Sequence, residues 1–158
     1  MGENRPKLEE CDRVLVVDAD ADAHVTATSV SNAVKKIANV RIPPKGGWGR
    51  RPGGCRVGFC VTPPAPGTGE IETLVWDAWS NDPCNAGARA CVESFLACMT
   101  GIGLSGKSPD KAKVSALLAV RNDEDPRLGP GARAGAFDFS RPEFAALVGF
   151  LDGLRKAP

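Results

Sequence analysis

Three aspartates alternate in the stretch Asp18-Ala19-Asp20-Ala21-Asp22, directly after the apolar run Val14-Leu15-Val16-Val17. Carboxylates this close repel one another, and a divalent cation is the usual counter-charge. Such a cation needs one or two carboxylates, with water and substrate phosphate completing its shell. Asp18, Asp20 and Asp22 are therefore candidate ligands of a divalent cation. Asp22 has a second explanation, as the N-cap of a helix that should begin next to it.

Glu72, in Gly69-Glu70-Ile71-Glu72, opens a helix just after a second apolar strand. The helix dipole alone favours a carboxylate there, while a second cation would also use one. Lys111 lies in the first turn of a later helix, where the dipole opposes a positive charge. A surface lysine is one reading, and a lysine aimed at a phosphoryl group is the other. Arg50 and Arg51 follow Trp48 in a basic stretch rich in glycine and proline. Trp48 with Arg50 and Arg51 could bind substrate by stacking on a nucleic-acid base, and a mobile surface loop is the plainer reading. Gly101-Ile102-Gly103-Leu104-Ser105-Gly106-Lys107-Ser108 spells a phosphate loop, G-x-x-x-x-G-K-[ST]. That motif requires a strand before it and a helix starting at its Lys-Ser pair. Here the preceding residues read as helix and Pro109 follows at once, so a turn between helices is expected. Nucleotide binding at 101–108 is the lesser alternative.

The elements that must position these residues read as strand, helix, strand and then helices. The run 14–17 has the β-branched, unbroken look of a parallel strand buried on both faces. A helix over 23–38 should turn Val25, Val30, Ala33, Val34 and Ile37 to one side. Residues 43–54 read as loop, and 56–62 as a second strand. Thr68 is a candidate cap for a helix over 70–80, and another helix is expected over 84–100. Ser108 and Pro109 start a helix to about 120. Residues 123–135 read as loop. Ser140 with Glu143 reads as a capping box for the last helix, to about 155. Two strands are too few for a stable doubly wound sheet. Weaker strands near Val40-Arg41-Ile42 and Gly135-Ala136-Phe137, or a second copy of the chain completing the sheet, are therefore expected.

The chain has 158 residues and a net charge of +1, which fits one domain without a strongly basic field of its own. Residues 1–12 read as a loose, polar start, and 13–158 as a single α/β domain. No run is long and apolar enough for a membrane span. The N-terminus lacks the apolar core of a signal peptide, so a cytoplasmic location and reduced thiols are expected. The six cysteines contain no C-x-x-C pair and there is one histidine, so a zinc site is not expected. Cys84, Cys91 and Cys98 recur every seven residues, on one helix face. Small buried hydrophobes are the plain expectation for them, and a thiol function the alternative.

Taken in order, these motifs resemble a known pattern. Val14-Leu15-Val16-Val17-Asp18-Ala19-Asp20 resembles the D-x-D strand of Toprim domains, found in topoisomerases, primases and overcoming-lysogenisation-defect (OLD) nucleases. The succession is similar to a small bacterial Toprim-like family, domain of unknown function 3226. It runs through Val57-Gly58-Phe59-Cys60-Val61-Thr62-Pro63, Gly69-Glu70-Ile71-Glu72, Lys111-Ala112 to Leu118-Ala119, and Arg133-Ala134-Gly135-Ala136. The resemblance implies a Toprim-like, Rossmannoid sheet of few, mostly parallel strands with helices packed around it. It implies metal-dependent phosphoryl transfer on nucleic acid, a phosphodiesterase or nuclease activity. Asp18 and Asp20 would hold one cation, Glu72 would match the glutamate at a second, and Lys111 would steady the charged transition state. A partner ATPase, as many OLD-type relatives have, is also implied. Toprim domains carry a catalytic glutamate on a strand well upstream of the D-x-D. Glu9 and Glu10 are too close to Asp18 to occupy that strand, so an incomplete N-terminal side is expected. A non-catalytic Toprim-like module is the alternative.

Overall fold

The computed structural model describes residues 12–50, 54, 56–122 and 125–155. The chain divides into two compact units, residues 1–68 with 149–158, and residues 69–148. The expected loose start lies outside the described residues except for Asp12, which is bonded to Arg56.

In the first unit, β1 (Arg13–Asp18) and β3 (Arg56–Thr62) run parallel, in register from Arg13 beside Val57 to Asp18 beside Thr62. The helix α1 (Ala23–Ala38) lies between them in sequence. Asp22 Oδ1 accepts from the backbone N–H of His24 at 2.7 Å and of Val25 at 3.0 Å, which starts α1. Asn39 ends it in the left-handed conformation, with Lys35 and Lys36 in the last turn complementing the dipole. The buried side of α1 is Ala23, Ala27 and Val34. Val25 and Ile37, expected on the inner face, are exposed. At 100° per residue Val25 falls on the side opposite Ala23, Ala27 and Val34, whereas Ile37 stays near their line but is exposed in the last turn.

A third strand, β2 (Gly47–Arg50), pairs antiparallel with β3 where a loop was expected. Trp48 makes it possible. Its register partner is Gly58, and a Cβ there would lie 2.7 Å from the indole, so only glycine leaves room for the ring. The indole stacks on Phe150 with centroids 5.1 Å apart and donates Nε1–H to the Phe150 carbonyl at 3.2 Å. The Arg56 guanidinium covers the ring at 4.8 Å. Trp48 is therefore a packing residue, and its faces are not available to a base.

The strand order β1-β3-β2 makes β3 central and β1 an edge. This corrects the expectation that β1 is buried on both faces: Leu15 is 45% exposed and Val16 42%. The sheet has one parallel and one antiparallel pair, so it is not mostly parallel. Val40 and Ile42 join the core around Phe59, but 40–42 is irregular backbone rather than a strand.

The second unit is helical. It contains α2 (Ile71–Ser80), α3 (Ala86–Gly101), α4 (Pro109–Arg121), α5 (Leu128–Arg133) and the start of α6 (Ala145–Arg155). Leu74, Val75, Trp76, Ala78 and Trp79 of α2 pack with Val114, Leu117 and Leu118 of α4 and with Phe137 and Phe144. Ala136 and Phe137 reach this core from irregular backbone, so the strand expected at 135–137 is absent. Helix α5 stands where a loop was expected. Ser140 bonds to Asp138, and Arg141 precedes the 3-10 turn Pro142–Phe144 instead. Helix α3 has no buried residue. Cys91 and Cys98 on it, and Cys84 in the 3-10 turn before it, are exposed rather than core. Seven-residue spacing put them in line, but among the described residues no neighbouring element buries that line.

The fold is thus mixed α/β, as the sequence implies. Among the described residues no helix is long and apolar enough to cross a membrane.

Candidate functional site

Two clusters contain the candidate residues, one in each unit. The first lies at the carboxyl ends of β1 and β3. Parallel register sets Asp18 beside Thr62, so the two occupy the same level of adjacent strands. Thr62 is 1% exposed, and its Oγ1 has no hydrogen-bond partner among the described residues. Its carbonyl accepts from Ala19 N–H at 2.9 Å, which extends the β1–β3 pairing past Asp18. The Thr26 hydroxyl donates to the Ala19 carbonyl at 3.0 Å and ties α1 to the same turn. Asp20 then reverses the chain with φ 53°, a left-handed conformation that aspartate tolerates better than most residues. Asp22, the third predicted ligand, spends Oδ1 on the α1 cap. The two backbone N–H bonds, Val25 first and His24 second, hold its carboxyl below the ordinary value.

The second cluster joins the first turns of α2 and α4. Glu70, not Thr68, is the N-cap of α2, in a reciprocal box with Thr73. Gly69 before it has φ 104°, and a Cβ there would lie 2.3 Å from Thr73 Oγ1, so the turn requires glycine. Thr73 Oγ1 accepts from Glu70 N–H at 3.1 Å and donates to Asp110 Oδ2 at 2.8 Å. Ser108, the N-cap of α4, donates its hydroxyl to Glu70 Oε2 at 3.1 Å. Lys111 Nζ lies 3.1 Å from Glu70 Oε2 and 3.8 Å from Glu72 Oε1. Glu72 and Lys111, both predicted from the sequence, therefore meet. Lys113 bonds Asp110 Oδ1 at 2.7 Å. Burial opposes ionisation of Asp110, but the Lys113 and Thr73 bonds outweigh it and hold the carboxyl below its ordinary value.

Of the remaining candidates, Arg50 is exposed at the end of β2, opposite Arg56, and Arg51 lies outside the described residues. The 101–108 stretch runs from the end of α3 to the Ser108 cap of α4, a turn between helices that lacks the strand a phosphate loop needs. Among the described residues no three of His, Cys, Asp and Glu gather where they could hold a metal ion together. Thr62, Glu70 and Thr73 were not singled out from sequence, and Ser108 only as a helix cap and the last residue of the phosphate-loop pattern. Aligning the two apolar strands in parallel would have set Thr62 beside Asp18. The other three are cap residues whose partners sit 37 or 38 positions away.

Fold and site define a small mixed α/β protein with an oxygen-rich strand end and a carboxylate–lysine joint between two helix starts. The chain matches, over residues 6–156, the family described as Protein of unknown function (DUF3226), and it belongs to that family. No curated protein and no solved structure matches it.

Proposed function

We propose that the chain carries out divalent-cation-dependent phosphoryl transfer on nucleic acid, as the resemblance to Toprim domains implies. One observation supports the reading above all: the buried Thr62 hydroxyl beside Asp18, which has no partner among the described residues. A buried hydroxyl without a bond is costly unless something else supplies one. Asp18, Asp20 and Thr62 offer only oxygen, the donor type that Mg2+ and Mn2+ prefer. These residues fit such an ion, with water and substrate phosphate completing its shell. Asp18 and Asp20 would hold it, and Thr62 would orient or join that set. The ion, when bound, polarises a phosphoryl oxygen and lowers the pKa of bound water. The second cation that the resemblance assigns to Glu72 has less support, because Lys111 already neutralises that carboxylate. Lys111, which pairs with Glu70 and Glu72, would take the transition-state role that the resemblance implies. A cytoplasmic location, and a second copy along the β1 edge where Leu15 and Val16 are open, belong to the same proposal.

The second reading is a non-catalytic module, with an ATPase as its partner. The lack of any three-ligand group among the described residues favours it.

Calorimetric titration of Mg2+ and Mn2+ into the full chain tests the proposal, beside Asp20→Asn and Thr62→Val. Saturable binding, lost in Asp20→Asn and weakened in Thr62→Val, is expected. Thr62→Val is close in shape and removes an unbonded hydroxyl, so its thermal midpoint should hold. Absence of binding by the unaltered chain would leave only the non-catalytic reading.

A further inference from the structure

The net charge of +1 conceals a segregation of charge. Residues 23–69 hold seven of the twenty Lys and Arg and none of the nineteen Asp and Glu. The first unit places two of these cations, Lys35 and Arg41, in the lining of one groove. It is open, measures about 480 Å³, and is lined by Ser31 and Lys35 of α1 and by Arg41, Ile42 and Pro43. Ser31 donates its hydroxyl to the Ile42 carbonyl, which fastens the 41–43 segment to α1 and fixes the floor. Lys35 belongs to α1 and Arg41 to that segment, and both line the groove. Lys36 follows Lys35, and Lys45 follows the groove in sequence.

Several of the other cations are matched to carboxylates. Arg56 pairs with Asp12, Arg89 with Glu93, Lys113 with Asp110, Arg127 with Asp125 and Arg141 with Asp82. Lys35, Lys36, Arg41 and Lys45 are exposed and form no ion pair among the described residues. The α1 dipole accounts for Lys35 and Lys36 in its last turn. It does not account for Arg41 or Lys45, nor for the absence of any acid across this stretch.

We infer that the groove between α1 and residues 41–43 binds the phosphate backbone of a nucleic acid, with Lys35 and Arg41 contacting phosphates. Unpaired cations around a concave track suit a linear polyanion, whose bound counterions are released on binding. A membrane surface fits less well. A flat bilayer does not enter a groove, and Ile37 is the one large exposed apolar side chain in the last turn of α1. The contacts are to phosphate, so little sequence preference is expected. The inference does not rest on the phosphoryl-transfer reading, because the binding requires no cation.

The test is fluorescence anisotropy with a labelled single-stranded oligonucleotide and a duplex of the same sequence, in chelator, from 50 to 200 mM salt. The full chain should bind at least one of them, with affinity falling linearly in log–log form. Lys35→Glu with Arg41→Glu should weaken binding at low salt at least tenfold. Lys35→Gln with Arg41→Gln should make the salt slope shallower by about 2, near 0.9 for each phosphate that is no longer neutralised. Arg89→Glu, a charge reversal on α3, should leave both unchanged. Circular dichroism verifies that each variant is folded. No binding by the full chain, or binding untouched by both double variants, overturns the inference. So does capture by phosphatidylserine vesicles that is as strong as nucleic-acid binding and abolished in the same variants. Because chelator is present throughout, a failed metal titration and a failed anisotropy titration are separate results.

Discussion

Replacing Thr73 by valine takes one hydroxyl out of the joint between the first turns of α2 and α4. Two hydrogen bonds go with it: the one accepted from Glu70 N–H at 3.1 Å and the one donated to Asp110 Oδ2 at 2.8 Å. A neutral bond contributes about 1 kcal/mol and one to a charged group about 1.5–3 kcal/mol. The joint is only partly buried, so water replaces some of this, and a net loss of about 2 kcal/mol is expected. For a chain of this length that corresponds to roughly 4–8 °C in Tm. Urea and thermal unfolding followed by tryptophan fluorescence measure it, since Trp76 and Trp79 lie in the core that α2 and α4 share. Thr73→Ser keeps the hydroxyl and should retain most of the stability. The loss should also depend on pH. Asp110 is held below its ordinary value of 3.8, so its ionised form contributes stability above that value. That contribution disappears as pH falls through the folded pKa. The gap between Thr73→Val and the unaltered chain should therefore be widest above about pH 4 and narrow below it. Equal stability of Thr73→Val and the unaltered chain at neutral pH, or equal damage in Thr73→Ser, would refute the reasoning.

Asp77→Asn should stabilise the protein at pH 7. Desolvation first, and then the Asp110 charge, raises the Asp77 pKa, so the folded state disfavours its ionised form. A raised folded pKa contributes stability below the unfolded value and loses it as pH rises through the folded one, so the advantage of asparagine should vanish by about pH 3. Unfolding midpoints at the two pH values check this. Maleimide labelling read by mass spectrometry should modify Cys84, Cys91 and Cys98 quickly and Cys60 slowly. The first three are exposed, whereas burial raises the Cys60 thiol pKa and shields it.

Some of this protein is open to a reader of residues alone, and the reason is locality. Helix starts depend on a side chain two or three positions from the backbone it caps. Asp22 and Ser108 are therefore readable as caps, and both are caps here. The apolar runs 14–17 and 56–62 could hardly be anything but strands. The 101–108 stretch fails the context of its motif on local grounds, since Pro109 and the helical residues before it are its near neighbours. Glu72 and Lys111 stand out by residue type and position at helix starts, and they meet.

What escapes such a reading depends on partners distant in sequence. Strand β2 looks like a loop because its glycines carry no β propensity. It forms because Trp48 finds the space over Gly58 and the ring of Phe150, 102 residues away along the chain. The run 14–17 has the composition of a central strand, but a strand's place in the sheet is set by what pairs with it, and β3 took the centre. The spacing of Cys84, Cys91 and Cys98 defines a line on a helix, not what lies against that line. Thr62 carries no signal of its own and gains meaning only from the register that sets it beside Asp18. The sequence by itself determined the mixed α/β class, the two principal strands, the Asp22 and Ser108 helix starts and the acidic strand end, all through interactions within a few residues. Only the tertiary structure decided the strand order, the exposed faces, the Glu70–Ser108–Lys111 joint and the basic groove. Each of those is an interaction whose two sides the chain must bring together by folding.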